Sequence, residues 1–575
     1  MAHSPISTVI LVSAVAGAVT VACSPPPQSP GSSTAVPAMA QTRSDVLANS
    51  GAPAPAMPAP AQPGVVPGPA KPAPTCSPVA FARRPLSPRE LRHTLTDLLG
   101  APMEPQLDPR FVESFPTGYG AFSRMGTTSL SSEAREALAQ RTADLALAQP
   151  GALLACAPGM VPPGSQVDCM NDFLRGFVSR AYRRPANPAE LDAVRAEFIQ
   201  YEQQGGFTAG LRAVLEHVLA SESFLFHPAY PPESEFERTH LGFGVAARLS
   251  YLIWETMPDE ALWAAAARGD LLRADGFDRE LRRLLSDPRA RRTVANFHAE
   301  WLELDAQGTV SEWPLPEKPG LPSQFWVGLK ASAERFVDHV FWEEAGTLST
   351  FLRAPYLFAD RRMDPAQYGL VPPTGDALEK QAAPAGQRFG LLTQPWFLAL
   401  RRWGNESNPV GRGSFVQRSL LCVNLPPPPP SVDSPLRQPV PGKSTRERLA
   451  EHLQSPQCHA CHRYLDPLGF GFENFDGLGI FRATQDGKPI DTSGSVALPQ
   501  GERPFADLPG LMTVLEGLEE VESCVAQQWL GFTLARRLEE GDACRVDHLR
   551  SELATARGRL SALLPAAARL VLPTD

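Results

Sequence analysis

The sequence predicts a mainly α-helical, multi-domain protein, and three observations lead there. Helix-start signals recur along the chain, each followed by leucine-rich runs at helical spacing. Strand-type alternation is scarce, with one short β-hairpin expected near residues 488–498. The 575 residues, 43% of them hydrophobic, suffice for several packed cores.

In chain order, residues 1–22 read as a signal peptide: an apolar run from Ser4 to Ala22 ends at small residues before Cys23. The run is short for a permanent membrane span, which needs about 20 apolar residues. Thr20-Val21-Ala22-Cys23 resembles a bacterial lipobox, so Cys23 is the expected lipidation site, although Thr20 stands where Leu is usual and no Lys or Arg precedes the run. Residues 23–75 are dominated by Pro, Ala and Ser and predict an extended tether.

Residues 76–150 form the first helical domain. Ser87-Pro88-Arg89-Glu90 is a capping box with Pro at the first helical position, and Leu91, Leu95, Leu98 and Leu99 follow until Gly100. Residues 151–235 form a second helical domain, with Asn187-Pro188-Ala189-Glu190 as another start and a stripe of Leu211, Val214, Leu215, Val218 and Leu219. Residues 236–380 form a central helical domain that includes a helical block from Leu241 to Leu304. Residues 381–500 are expected to hold a cytochrome-c-like haem motif domain, and residues 501–575 a C-terminal helical domain. Pro426 to Pro430 lack amide donors and predict a stiff polyproline strut between the helical body and the motif. Asp491 to Gly494, flanked by Ile490 and Val496, is the expected turn of the hairpin.

The 53 basic and 62 acidic residues are interspersed and give a net charge of -9, so nucleic acid is excluded as an expected partner. Nine cysteines include Cys23 and the motif pair, leaving six, an even number that suits an oxidising compartment. Short loops suggest disulfides from Cys156 to Cys169 and from Cys524 to Cys544, with Cys76 and Cys422 as the remainder; buried free thiols are the alternative.

The motif with the most chemistry is Cys458-His459-Ala460-Cys461-His462. Two thiols separated by two residues can add to the two vinyl groups of haem, and the adjacent imidazole of His462 supplies an axial iron ligand. Ser444-Thr445-Arg446-Glu447 is a capping box upstream of it. A redox disulfide, a zinc site that adds His452 and His459, and a plain structural disulfide compete with covalent haem c. Downstream, the glycines of the 466–479 stretch allow close approach to a flat macrocycle, and Phe470, Phe472 and Phe475 supply walls; a compact loop with a small aromatic core is the alternative. The carbonyl of Pro467 is expected to orient His462, and Arg482 is read either as a propionate partner or as a solvated charge. Met512 is the candidate sixth iron ligand, but Leu508, Leu511, Leu515 and Leu518 place it in an apolar stripe that suits core packing.

Four segments carry a resemblance: Arg180-Ala181-Tyr182-Arg183-Arg184-Pro185; Arg248 to Trp254 with Met257-Pro258-Asp259; Arg388-Phe389-Gly390-Leu391-Leu392-Thr393; and Cys458 to Arg482. In that order they resemble the large secreted bacterial proteins assembled from domains of unknown function 1587, 1595, 1592, 1588 and 1585. The resemblance spans the chain from about Cys76 onward and implies a cytochrome-c-like C-terminal module, without an established reaction.

The sequence therefore raises the expectation of an exported c-type-haem redox protein that works with a redox partner protein, lipid-anchored in the outer membrane or periplasm. A haem-dependent oxidative enzyme acting on an unknown substrate during extracellular or periplasmic degradation is the second reading. A structural lipoprotein without haem is the third. No Ser-His-Asp order, phosphate-binding glycine loop or His-Glu-x-x-His helix supports a separate hydrolase.

Overall fold

The computed structural model describes residues 76, 80–100, 122, 125, 131–148, 153, 155–162, 164–304, 321–344, 346–403, 406–423, 425, 440, 442–454 and 456–570. The expected signal peptide, Cys23, the tether and Pro426 to Pro430 lie outside the described residues. The protein is mainly α-helical, and its sheets are two-stranded and antiparallel. No helix among the described residues is long and apolar enough to cross a membrane.

Local sequence chemistry sets the helix ends. Ser87 and Glu90 cap the Pro88–Leu99 helix reciprocally, as Asn187 and Glu190 cap Pro188–Gly205. Gly100, at φ 71°, closes the first of these helices in the left-handed region that glycine adopts without strain. Around them, Leu91, Leu95, Phe177, Val178, Leu211 and Leu215 build a first core. Two of the three arginines of the 180–185 segment bind inward: Arg183 donates to the carbonyls of Ser223, Phe224 and Phe226, and Arg184 forms a two-pronged pair with Glu190.

The helical block from Leu241 to Leu304 is divided into Leu241–Trp254, Glu260–Ala267, Ala274–Ser286 and Pro288–Trp301. Glu255, in left-handed conformation at φ 57°, ends the first of these, and the N-cap carboxylate of Asp259 starts the next. These helices join a second, larger core that continues through Phe397, Phe415, Phe472 and Phe475 to Trp529 and Leu564. Its aromatic centre includes Phe297 stacked on Trp529, with ring centroids 3.7 Å apart.

That continuity bears on the separation expected between the motif and the helical body, while Pro426 to Pro430 themselves lie outside the described residues. Leu468, Phe472, Phe475 and Leu478 share one core with the preceding helices, so the motif region is packed on the body and not held away from it. The expected hairpin is also relocated. One hairpin pairs Thr484–Gln485 with Lys488–Pro489 through Asp486 and Gly487, both at positive φ as a tight primed turn requires. The other pairs Gly494–Leu498 with Gly501–Phe505. The expected turn residues Asp491 and Ser493 instead offer their carbonyls to Arg446.

Three disulfides staple the chain: Cys76–Cys544, Cys156–Cys169 and Cys422–Cys524. The expected Cys524–Cys544 pairing is therefore wrong, and so is Cys76–Cys422. Cys524 is fully buried, and its helix, Glu519–Leu534, packs against the segment that leads to Cys422. Cys544 begins the following helix, where the N-terminal Cys76 reaches it across 468 residues of sequence. Proximity in the fold outweighs the short sequence loop.

Candidate functional site

Cys458, Cys461 and His462 lie on one helix, Pro456–Phe470. Their spacing of three and four residues puts them on one helix face. Cys458 is buried, Cys461 and His462 are half-buried, and neither cysteine is in any of the three disulfides.

The motif helix is held by an unusually close helix pair. A Cβ on Gly413, in the Pro409–Phe415 helix, would stand 2.0 Å from the Leu465 carbonyl oxygen. A Cβ on Gly469 would stand 1.9 Å from the Pro409 carbonyl oxygen. Only glycine permits that approach on either side. Arg412 then ties the following turn by donating to the carbonyls of Phe472, Phe475 and Asp476. Arg446 lies over the Phe470 ring at 4.0 Å.

These contacts correct the expected macrocycle cradle. Gly469 approaches protein backbone, Gly471 faces Leu511 and Phe505, and Phe472 and Phe475 are fully buried in the main core. The compact aromatic core, offered as the alternative, is what forms.

The orienting group for His462 is Asp466, not Pro467. His462 Nδ1 lies 2.9 Å from Oδ1 of Asp466, a fully buried carboxylate one helical turn on. Pro467 directs its carbonyl toward the Gly494 strand, where an added Cβ would stand 2.0 Å from that oxygen. The spacing of Asp466 four residues after His462 was the signal in the sequence that would have found this pair. A carboxylate on Nδ1 favours the tautomer with its proton there, the arrangement in which an imidazole ligates a metal through Nε2.

Arg482 is neither a solvated charge nor free for a propionate: it donates to Ser407 Oγ and the Glu473 carbonyl and pairs with the Glu473 carboxylate at 3.6 Å. Burial pushes the Glu473 carboxyl up, and the charges of Arg412 and Arg482 oppose that shift. Met512 sits in the Leu508–Glu516 helix with no exposed surface, inside the main core, which accounts for it as packing. Among the described residues, no group of three or more His, Cys, Asp or Glu side chains is arranged to hold a bare metal ion.

Arg388, in the third of the segments noted above, is fully buried and donates to the carbonyls of Thr393 and Gly479, pinning the stretch after the motif to the body.

No curated protein and no solved structure matches the chain significantly. Four family models do match, each described as a protein of unknown function. Residues 169–228 match DUF1595, 242–370 match DUF1592, 388–485 match DUF1588 and 501–569 match DUF1585. The expected domain 1587 is not one of these four, and the Cys-His motif falls within the DUF1588 match. The chain thus carries, in order, domains of unknown function 1595, 1592, 1588 and 1585.

Proposed function

We propose that the protein is an exported c-type-haem redox protein that transfers electrons with a partner protein. The observation that carries this reading is the placement of Cys458, Cys461 and His462 on one helix face, with the Asp466 carboxylate on His462 Nδ1. The donor set fits the group: two thiols outside the disulfides and an imidazole oriented by a carboxylate on Nδ1. When bound, haem c supplies a one-electron iron centre. Cys458 and Cys461 would tether the ring through thioether bonds and His462 would ligate through Nε2, while Asp466 would hold the Nδ1 proton, fix the ring orientation and make the imidazole a stronger donor.

A haem-dependent oxidative enzyme is the second reading, and two observations favour it. Asp466 on Nδ1 would make His462 a stronger donor to a bound haem, and Met512, buried in the core, is taken up by packing. The three disulfides fit an extracellular or periplasmic setting. Acylation at Cys23 would add the membrane anchor; membrane partitioning lost in Cys23→Ser supports it, and equal partitioning of both proteins rejects it.

The deciding experiment is an absorption spectrum of protein matured with the c-type haem machinery, taken before and after denaturation. Haem that survives denaturation and disappears in the double variant Cys458→Ser, Cys461→Ser supports the reading. Carbon monoxide binding to the reduced protein then favours the enzyme, and its exclusion favours electron transfer. Exported protein with no covalent haem leaves a structural lipoprotein.

A further inference from the structure

A second site lies far along the chain from the Cys-His motif, where the DUF1595 match gives way to the DUF1592 match. A cleft opens there, walled by Phe226, Pro228, Pro232, Leu241 and Phe243. Four arginines line it: Arg83, Arg183, Arg184 and Arg248.

Three of the four are engaged. Arg83 pairs with Glu222 at 2.9 Å, Arg184 pairs with Glu190, and Arg183 donates to three carbonyls. Arg248 differs. It is only 9% exposed, yet its Nε and Nη2 have no hydrogen-bond acceptor, and no carboxylate pairs with it among the described residues. Its neighbours are the ring faces of Tyr230 and Phe81, with centroids 4.9 and 5.4 Å from the guanidinium carbon. Those rings soften the loss of water but accept no proton. A buried charge without a counter-ion is destabilising, and folds normally pair it. The other motif arginines, Arg183 and Arg388, also leave Nε without an acceptor, but both of their Nη atoms donate to carbonyls, which neither Nε nor Nη2 of Arg248 does.

We infer that Arg248 is the anchor of a binding site for a small organic monocarboxylate, whose charged head meets the guanidinium while its apolar body lies along the cleft wall. One guanidinium is on offer, and Glu222 and Glu237 in the same wall repel a dianion, so a carboxylate fits better than a phosphate. Burial also draws the Arg248 guanidinium down to about 10, which leaves it charged at neutral pH. Junctions between domains are a common place for such sites. Beside the charge, Gly244 leaves room: a Cβ there would meet only Nη2 of Arg248, at 3.8 Å.

The test is calorimetric titration of the full exported protein with benzoate, hexanoate, benzamide and inorganic phosphate. Saturable one-to-one binding of benzoate or hexanoate is expected, at least tenfold tighter than benzamide or phosphate. Arg248→Met should lose that binding by tenfold or more while unfolding at the same or higher denaturant concentration, because it removes an unpaired buried charge. Gly244→Leu keeps the charge and fills the space beside it, and should weaken binding even if Arg248→Met does not fold. Equal binding of benzoate and benzamide, tighter binding of phosphate, no saturable binding of either carboxylate, or carboxylate binding unchanged in a folded variant overturns the assignment. A loss of stability in Arg248→Met with no carboxylate binding in the parent protein assigns Arg248 a purely structural role instead.

Discussion

Replacing Glu90 by Gln should loosen the first core through one buried carboxylate. Glu90 has no exposed surface, and it accepts from both Nη atoms of Arg84 at 2.9 Å and from the Ser87 amide at 2.8 Å. His227 Nε2 lies 3.3 Å away. Burial alone would raise the Glu90 carboxyl, but the Arg84 charge and these hydrogen bonds outweigh it and hold the group well below the usual carboxylate range. Burial, with the Arg84 charge adding to it, pushes the His227 imidazole down to about 3, so at neutral pH it is uncharged and donates to the carboxylate.

Glutamine keeps the volume but removes the charge and turns one acceptor into a donor that faces Arg84. Breaking a buried pair by removing one partner costs about 3–5 kcal/mol, and because Arg84 keeps some contact with water, about 3 kcal/mol is expected. That corresponds to a roughly hundredfold or greater rise in opening. Hydrogen-exchange mass spectrometry on the Pro88–Leu99 helix reads it directly, without assuming that a multi-domain chain unfolds in one step. The double variant Arg84→Met, Glu90→Gln should be milder than Glu90→Gln alone, since no charge is then stranded. Exchange of that helix at the parental rate in Glu90→Gln, or a double variant worse than the single, refutes the argument.

Three further outcomes follow from other parts of the fold. Burial holds His227 at about 3 and His298 at about 4, both below their value of about 6.5 in the unfolded chain. Unfolding therefore takes up protons, and the stability that neutral imidazoles allow is complete above pH 6.5 and is lost as pH falls toward the native values. Each of the two contributes up to about 1.4 kcal/mol per pH unit in that window. A urea midpoint that stays constant from pH 7 to 5 would contradict this. Nonreducing peptide maps should show Cys76 linked to Cys544 and Cys422 linked to Cys524; a peptide joining Cys524 to Cys544 rejects that connectivity. Met512→Ala should destabilise the C-terminal part by about 2–5 kcal/mol as a core truncation and leave the haem spectrum of matured protein unchanged; a change from low-spin to high-spin iron would restore Met512 as a ligand.

Local chemistry was legible in the sequence. Helix starts at Ser87, Asn187 and Ser444 were readable because a capping box is closed within four residues and owes little to the rest of the chain. The mainly helical class followed from the same local periodicity. The His462 and Asp466 pair also lay within reach, one helical turn apart, although the neighbouring proline drew the expectation away.

What tertiary structure alone decided involves contacts between residues far apart in sequence. Cys524 and Cys544 are near in the chain, yet each bonds a cysteine more than a hundred residues away, because helix packing sets which sulfurs meet. The glycines of the 466–479 stretch read as a cofactor cradle or as a compact loop with a small aromatic core, and only the fold sets Gly469 against the Pro409 carbonyl and Gly471 against Leu511 and Phe505. Arg183, Arg248 and Arg388 are indistinguishable as letters. Two of them found carbonyls and one did not, because hydrogen-bond acceptors for a buried guanidinium are supplied by whichever segments the fold brings against it.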